Sequence, residues 1–195
     1  MEDKEIFKPE ESLALINTMI NKAQNKLQEN GFLFIFWGWL VFLVATTFYV
    51  LVKMQFENAF VVWYAMPAGG IFTMIYAMRK SKKENVKSFV DEYMMYIGIA
   101  FGISLTIILV MGWKLQLNCY PMVILLYALT TFIYGGILKF MPLVIFGALS
   151  FPISVGAFFV DFHTQILLLA LSVLVSYIIP GHLLQFKFKQ QAKHV

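Results

Sequence analysis

The stretch YPMVILLYALTTFIYGGILKFMPLVIFGALSFPISVGAFFV, running from Tyr120 to Val160, carries Lys139 as its only charged residue. As one straight helix it would be about 60 Å long, twice the ~30 Å hydrocarbon core of a bilayer. It therefore reads as two membrane-crossing helices, Tyr120 to Leu138 and Phe140 to Val160, joined by a tight hairpin at Lys139. Gly135 and Gly136 weaken the first helix before the lysine, and Pro142 suits the first turn of the second.

Outward from this hairpin, four more blocks free of Asp, Glu, Lys and Arg have the length of about twenty residues that a crossing requires: Phe32 to Val52, Ala59 to Met78, Tyr93 to Trp113, and Ile166 to Phe186. The chain is 60% hydrophobic and 13% charged, where a soluble domain carries about 25% charged residues. Its solvent is a lipid bilayer. The expected fold is an all-α polytopic bundle of six transmembrane helices, with residues 1–31 as a cytoplasmic segment, 32–186 as the membrane domain and 187–195 as a basic tail. With the N-terminus inside, thirteen of the fifteen Lys and Arg residues fall on the cytoplasmic side, and only Lys53 and Lys114 fall outside. Both termini are then cytoplasmic. The first apolar block follows some thirty mostly polar residues and shows no small-residue cleavage pattern, so it reads as a retained span.

Before that span, Leu13, Ile16, Ile20, Ala23 and Leu27 recur at steps of three and four, which predicts an amphipathic helix from Pro9 to Asn30-Gly31. Its polar face is nearly neutral, whereas helices held on anionic lipid have a strongly basic one. Docking on the protein's own cytoplasmic loops suits that face best, with the membrane surface or a partner protein as alternatives.

The net charge of +4 comes from residues placed between apolar blocks, which argues against nucleic acid as a partner. The single cysteine, Cys119, excludes an intrachain disulfide and a cysteine zinc cluster. No cofactor or metal motif is present, and Asp161 with His163 gives two potential ligands where a metal site needs more. The spans hold no carboxylate pair for acid-base catalysis and no buried charge to couple to an ion gradient. His182, the one histidine within a span, lies near its cytoplasmic boundary. The expectation is a protein that is not an enzyme.

Two patterns mark candidate functional positions. Gly98, Gly102 and Thr106 form a small-residue face on the third span, suited to close helix packing within the bundle or to a homodimer. Pro67 with Gly69 and Gly70, Pro152, and Pro180 with Gly181 interrupt three spans, and the second and fifth correspond in a three-plus-three division. Matched interrupted helices can mark the site of an inverted-repeat transporter, although simple kinks are commoner. A permease or exporter for an apolar or zwitterionic solute is thus the alternative to a partner-binding or regulatory membrane component. Its pathway would be lined by Thr46, Thr47, Thr130, Thr131 or Ser154.

The run Glu11-Ser12-Leu13-Ala14-Leu15-Ile16, the junction Asn30-Gly31-Phe32, the motif Trp37-Gly38-Trp39, the stretch Phe132 to Phe140 and the ending Ile179-Pro180-Gly181-His182-Leu183-Leu184 resemble a family of small uncharacterised bacterial inner-membrane proteins. The likeness covers nearly the whole length. It implies a six-span bacterial inner-membrane protein encoded beside a winged-helix regulator, and it implies no activity or catalytic residue.

Overall fold

The computed structural model describes residues 9–81, 89–115 and 118–191. Among these residues the chain is helical and has no strand. The elements are α1 (Pro9–Lys53), α2 (Ala65–Ser81) after a 3-10 segment (Ala59–Tyr64), α3 (Phe89–Val110), the short α4 (Gly112–Leu115), α5 (Cys119–Ile137), α6 (Met141–Ala157), and α7 (Phe162–Val173) continuing through a π turn (Leu174–Ile178) into α8 (Ile179–Gln191). Five stretches are long and apolar enough to cross a membrane: Gly31–Lys53, Ala59–Tyr76, Tyr93–Val110, Cys119–Ile137 and Phe162–Lys187. Helix α6, with 17 residues, is shorter.

The hairpin at Lys139 forms as expected, but its chemistry is not glycine's. Lys139 itself adopts φ 50°, its N–H donates to Gly136 O at 3.2 Å, and Phe140 N–H donates to Gly135 O at 3.0 Å. This is the Schellman arrangement, with a lysine in the left-handed position that glycine normally fills. Helix α1 ends the same way: Gln55 has φ 55°, and the N–H groups of Gln55 and Phe56 close on Val52 O and Leu51 O.

The expected helix end at Asn30-Gly31 is absent. Helix α1 is 45 residues without a break, about 67 Å long. Gly31 is there for packing: a side chain on it would meet Gln185 Cγ at 3.2 Å and Gly181 O at 3.5 Å. Further along the same crossing, Gly181 faces Phe34 and Ile35, and Gly38 faces Tyr177 and Ile178, with a built Cβ at 2.9 and 2.8 Å from the nearest atom. Residues advance along α1 as they retreat along α8, so the two helices run antiparallel, and the glycines let their backbones approach.

A second close crossing joins α5 to α6. A Cβ on Gly135 would lie 2.5 Å from Val144 N, and one on Gly147 would lie 2.7 Å from Phe132 N. At the far end Ser154 Oγ donates to Pro121 O at 2.9 Å. Helix α2 packs on α1 through Gly69 against Leu40 and Trp37, and through Phe72 against Phe36. Helix α3 packs on α5, where Phe101 meets Tyr127 and Tyr134 OH donates to Met94 O at 3.3 Å. Although consecutive in the chain, α2 and α3 share no packed interface among the described residues.

Large rings fill the space that these crossings leave. One group, Phe48, Trp63, Tyr120 and Phe162, lies at the end of the bundle where α1 and α2 meet. The other, Phe34, Phe101, Tyr127, Tyr134 and Tyr177, lies deeper, with Tyr177 in edge contact with Tyr127 at 5.0 Å and tilted on Phe34 at 4.9 Å. Rings at such centroid distances add about 0.5–1.5 kcal/mol per pair beyond their burial.

Candidate functional site

Among the described residues, the buried polar side chains lie where α5, α6 and the last helix meet. There Thr130 and Thr131 from α5, Ser150 and Ser154 from α6, and Gln165, Ser172 and Ser176 from the last helix are all buried. In a lipid-embedded chain each polar group needs a partner within the protein, because hydrocarbon supplies none. Several find one on their own helix: Thr130 Oγ1 donates to Leu126 O, Ser150 Oγ to Phe146 O and Ser176 Oγ to Ser172 O. Ser154 reaches across to α5, and Gln165 Nε2 donates to Val160 O.

Three buried oxygens in this wedge have no hydrogen-bond partner: the hydroxyls Thr131 Oγ1 and Ser172 Oγ, and the amide acceptor Gln165 Oε1. The Tyr177 phenol lies near enough to Thr131 to interact electrostatically, yet outside hydrogen-bond geometry. Trp63 Nε1, at the other end of the bundle, is likewise buried without a partner.

The π turn explains how Tyr177 arrives here. Pro180 has no amide hydrogen, so the carbonyl four residues earlier, on Ser176, loses its α-helical donor. The chain widens instead, and Ile179 N–H bonds Leu174 O, five residues back. The widening turns Tyr177 and Ile178 into the core and onto Gly38. Pro180 and Gly181 are therefore buried parts of the α1 crossing.

The other interruptions lie elsewhere. Pro67 falls in the first turn of α2, just after the 3-10 segment, a position that proline tolerates. Gly69 packs on α1, while a side chain on Gly70 would meet open space. Pro152 does lie inside α6, with both it and Ala148 on the exposed side. Because α2 packs on α1, and α6 on α5 and the last helix, the structure does not bring Pro67 and Pro152 together.

The hydroxyls proposed to line a pathway are also dispersed. Thr46 Oγ1 closes on Phe42 O at 2.7 Å, Thr47 is exposed, and only Thr130, Thr131 and Ser154 share the wedge. On α3, a side chain at Gly102 would touch nothing within 4 Å, Gly98 has only Tyr134 OH at 3.7 Å, and Thr106 is exposed with its hydroxyl on Gly102 O. This face is open within one chain. The close glycine contacts are at Gly38, Gly69, Gly135, Gly147 and Gly181, of which Gly98-x-x-x-Gly102 gives no hint.

At the α6–α7 connection Asp161 caps α7, accepting from Thr164 Oγ1 at 2.6 Å and from the N–H groups of His163 and Thr164. The Thr164 hydroxyl, and then its amide, hold the Asp161 carboxyl below its ordinary range. His163 Nδ1 lies 3.6 Å from the same carboxylate. This is a capping arrangement, and no group of three or more His, Cys, Asp or Glu side chains suited to a metal occurs among the described residues. No family model matches the chain, and no curated protein or solved structure matches it.

Proposed function

We propose that this protein is a six-span, non-enzymatic component of the bacterial inner membrane that acts by binding a partner protein in the cytoplasm. The observation that carries this reading is the unbroken run of α1 from Pro9 into the membrane span. A helix resting in the headgroup plane must turn before entering the bilayer, and α1 makes no such break at Asn30-Gly31. About 33 Å of helix therefore continues beyond Gly31, bearing the apolar stripe Leu13, Ile16, Ile20, Ala23 and Leu27. An amphipathic helix held clear of the bilayer is suited to helix-in-groove or helix-pair recognition. Residues 82–88, the basic connection expected to assist, lie outside the described residues.

Six crossings, rather than five, are supported by the path of α6. It meets Gly135 near its start and Pro121 near its end, and so runs the length of α5 despite its 17 residues. In a Cys119→Ser background, single cysteines at Arg79 and His163, both exposed, give the test. The Arg79 cysteine should react with a membrane-impermeant maleimide only from the cytoplasm, and the His163 cysteine only from outside. Labelling of both from one side would remove the sixth crossing.

For the partner, Ile16→Asp with Ile20→Asp should abolish co-purification of a cytoplasmic protein from native membranes while the labelling pattern stays unchanged. An identical set of co-purifying proteins in parent and variant would remove the partner reading.

A further inference from the structure

The face of α1 that grips the last helix continues past the end of that helix. The two meet with Gln185 on Gly31, Gly181 on Ile35 and Ile178 on Gly38, so each step along α1 matches one step back along its partner. In that register Gln191, where α8 ends, falls level with Asn25. Helix α1 reaches back to Pro9, and ~24 Å of it, from Pro9 to Gln24, therefore extends beyond the end of α8. Because α1 is one unbroken helix turning about 100° per residue, the positions of Leu13, Ile16, Ile20, Ala23 and Leu27 fall within about 60° of the buried Phe34, on the side of Gly31 and Gly38. Helix α2 takes the opposite side of α1, at Phe32 and Phe36.

We infer that this face seats one amphipathic helix of another protein, lying in line with α8 and extending the α1–α8 pair into the cytoplasm. The inference rests on the cytoplasmic-partner reading and names the occupant of that surface. Apolar positions at steps of three and four make the seam of a helix pair, and the membrane half of this same seam is already filled by a helix. The free half has room for about four turns of a partner. A second copy of this chain does not fit there. Two copies in one membrane set their α1 helices parallel, and the seam of each faces its own α8, so both α8 helices stand between them. With packed helices about 8–10 Å apart, the two α1 axes are held roughly 25 Å apart at Asn25. Contact would require each α1 to bend away from its own α8, and α1 has no break.

Photoreactive benzoylphenylalanine, placed singly at Leu13, Ile20 and Gln190 and at Thr18 on the reverse face of α1, tests this in native membranes, with the crosslinked peptides mapped by mass spectrometry. Leu13 and Ile20 should attach to one segment of one other protein, at points about seven residues apart. Gln190, exposed in the last turn of α8, should attach to the near end of that same segment, about thirteen residues from the Leu13 point. Thr18 should give no crosslink to it. Circular dichroism and elution volume report whether each variant is folded. Attachment points in separate segments or out of this order would overturn the in-line helix, as would the same crosslinks from Thr18. Crosslinks confined to this chain, whether to a second copy or to Ala192–Val195, or none at all, would overturn it too. Loss of co-purification in the Ile16→Asp, Ile20→Asp pair, with crosslinks lacking this register, sinks the in-line helix alone; an unchanged co-purifying set removes the partner reading itself.

Discussion

Gly135→Leu and Gly147→Leu should each break the α5–α6 hairpin, the tightest crossing in the protein. A Cβ at either position would fall 2.5–2.7 Å from a backbone nitrogen of the facing helix, and a backbone atom cannot swing aside as a side-chain tip can. Overpacking of a filled core costs about 1–3 kcal/mol, and more where backbone must move, so alanine should already be felt and leucine should prevent a stable bundle. Gly70→Leu and Gly102→Leu, where the built Cβ meets nothing within 4 Å, should stay within about 0.5 kcal/mol of the parent. Unfolding by titrated SDS, followed by far-ultraviolet circular dichroism, separates the two groups. Equal losses at Gly102 and Gly135 in monomeric protein would contradict the packing. A loss at Gly102 seen only when protomers associate would instead assign the open α3 face to a homodimer.

The contrast also marks which parts of the fold were legible in the sequence. Five of the apolar blocks and the Lys139 hairpin were, because bilayer thickness sets a helix length and one charge in a long apolar run has to go somewhere. The pairing of helices was not. Gly98 and Gly102 carry the sequence spacing associated with close packing, yet they lie on the face of α3 that meets little of this chain, and no local pattern says which neighbour a face will find. Gly38 and Gly181 were visible inside the motifs Trp37-Gly38-Trp39 and Ile179-Pro180-Gly181, and only the fold reveals them as two sides of one crossing. Gly31 was misleading for a related reason. A glycine after asparagine resembles a helix stop, but one pressed against another backbone is equally at home inside a helix. The buried tyrosines Tyr127 and Tyr177 carry no spacing signal in the sequence, and the π turn before Pro180 is what brings Tyr177 inward.

Thr131→Val and Ser172→Ala should stabilise the protein, an unusual direction for changes at fully buried sites. Both hydroxyls are buried without a hydrogen-bond partner, and an unsatisfied polar group in an apolar interior costs about 1–3 kcal/mol. Valine matches threonine in volume and alanine approximates serine, so each exchange removes that cost without opening a cavity. The gain should be about 1 kcal/mol or more for each. Ser154→Ala, which removes the 2.9 Å bond to Pro121 O, should instead destabilise by ~1 kcal/mol and serves as the internal contrast. The same measurement weighs the alternative of a small permease. A solute path through the α5–α6–α7 wedge would keep Thr131 and Ser172 hydrated, and removing a hydrated hydroxyl leaves the water it held with one partner fewer. Under that reading both substitutions lower stability and change solute flux. Under a dry wedge they raise stability and leave the cytoplasmic partner captured as before.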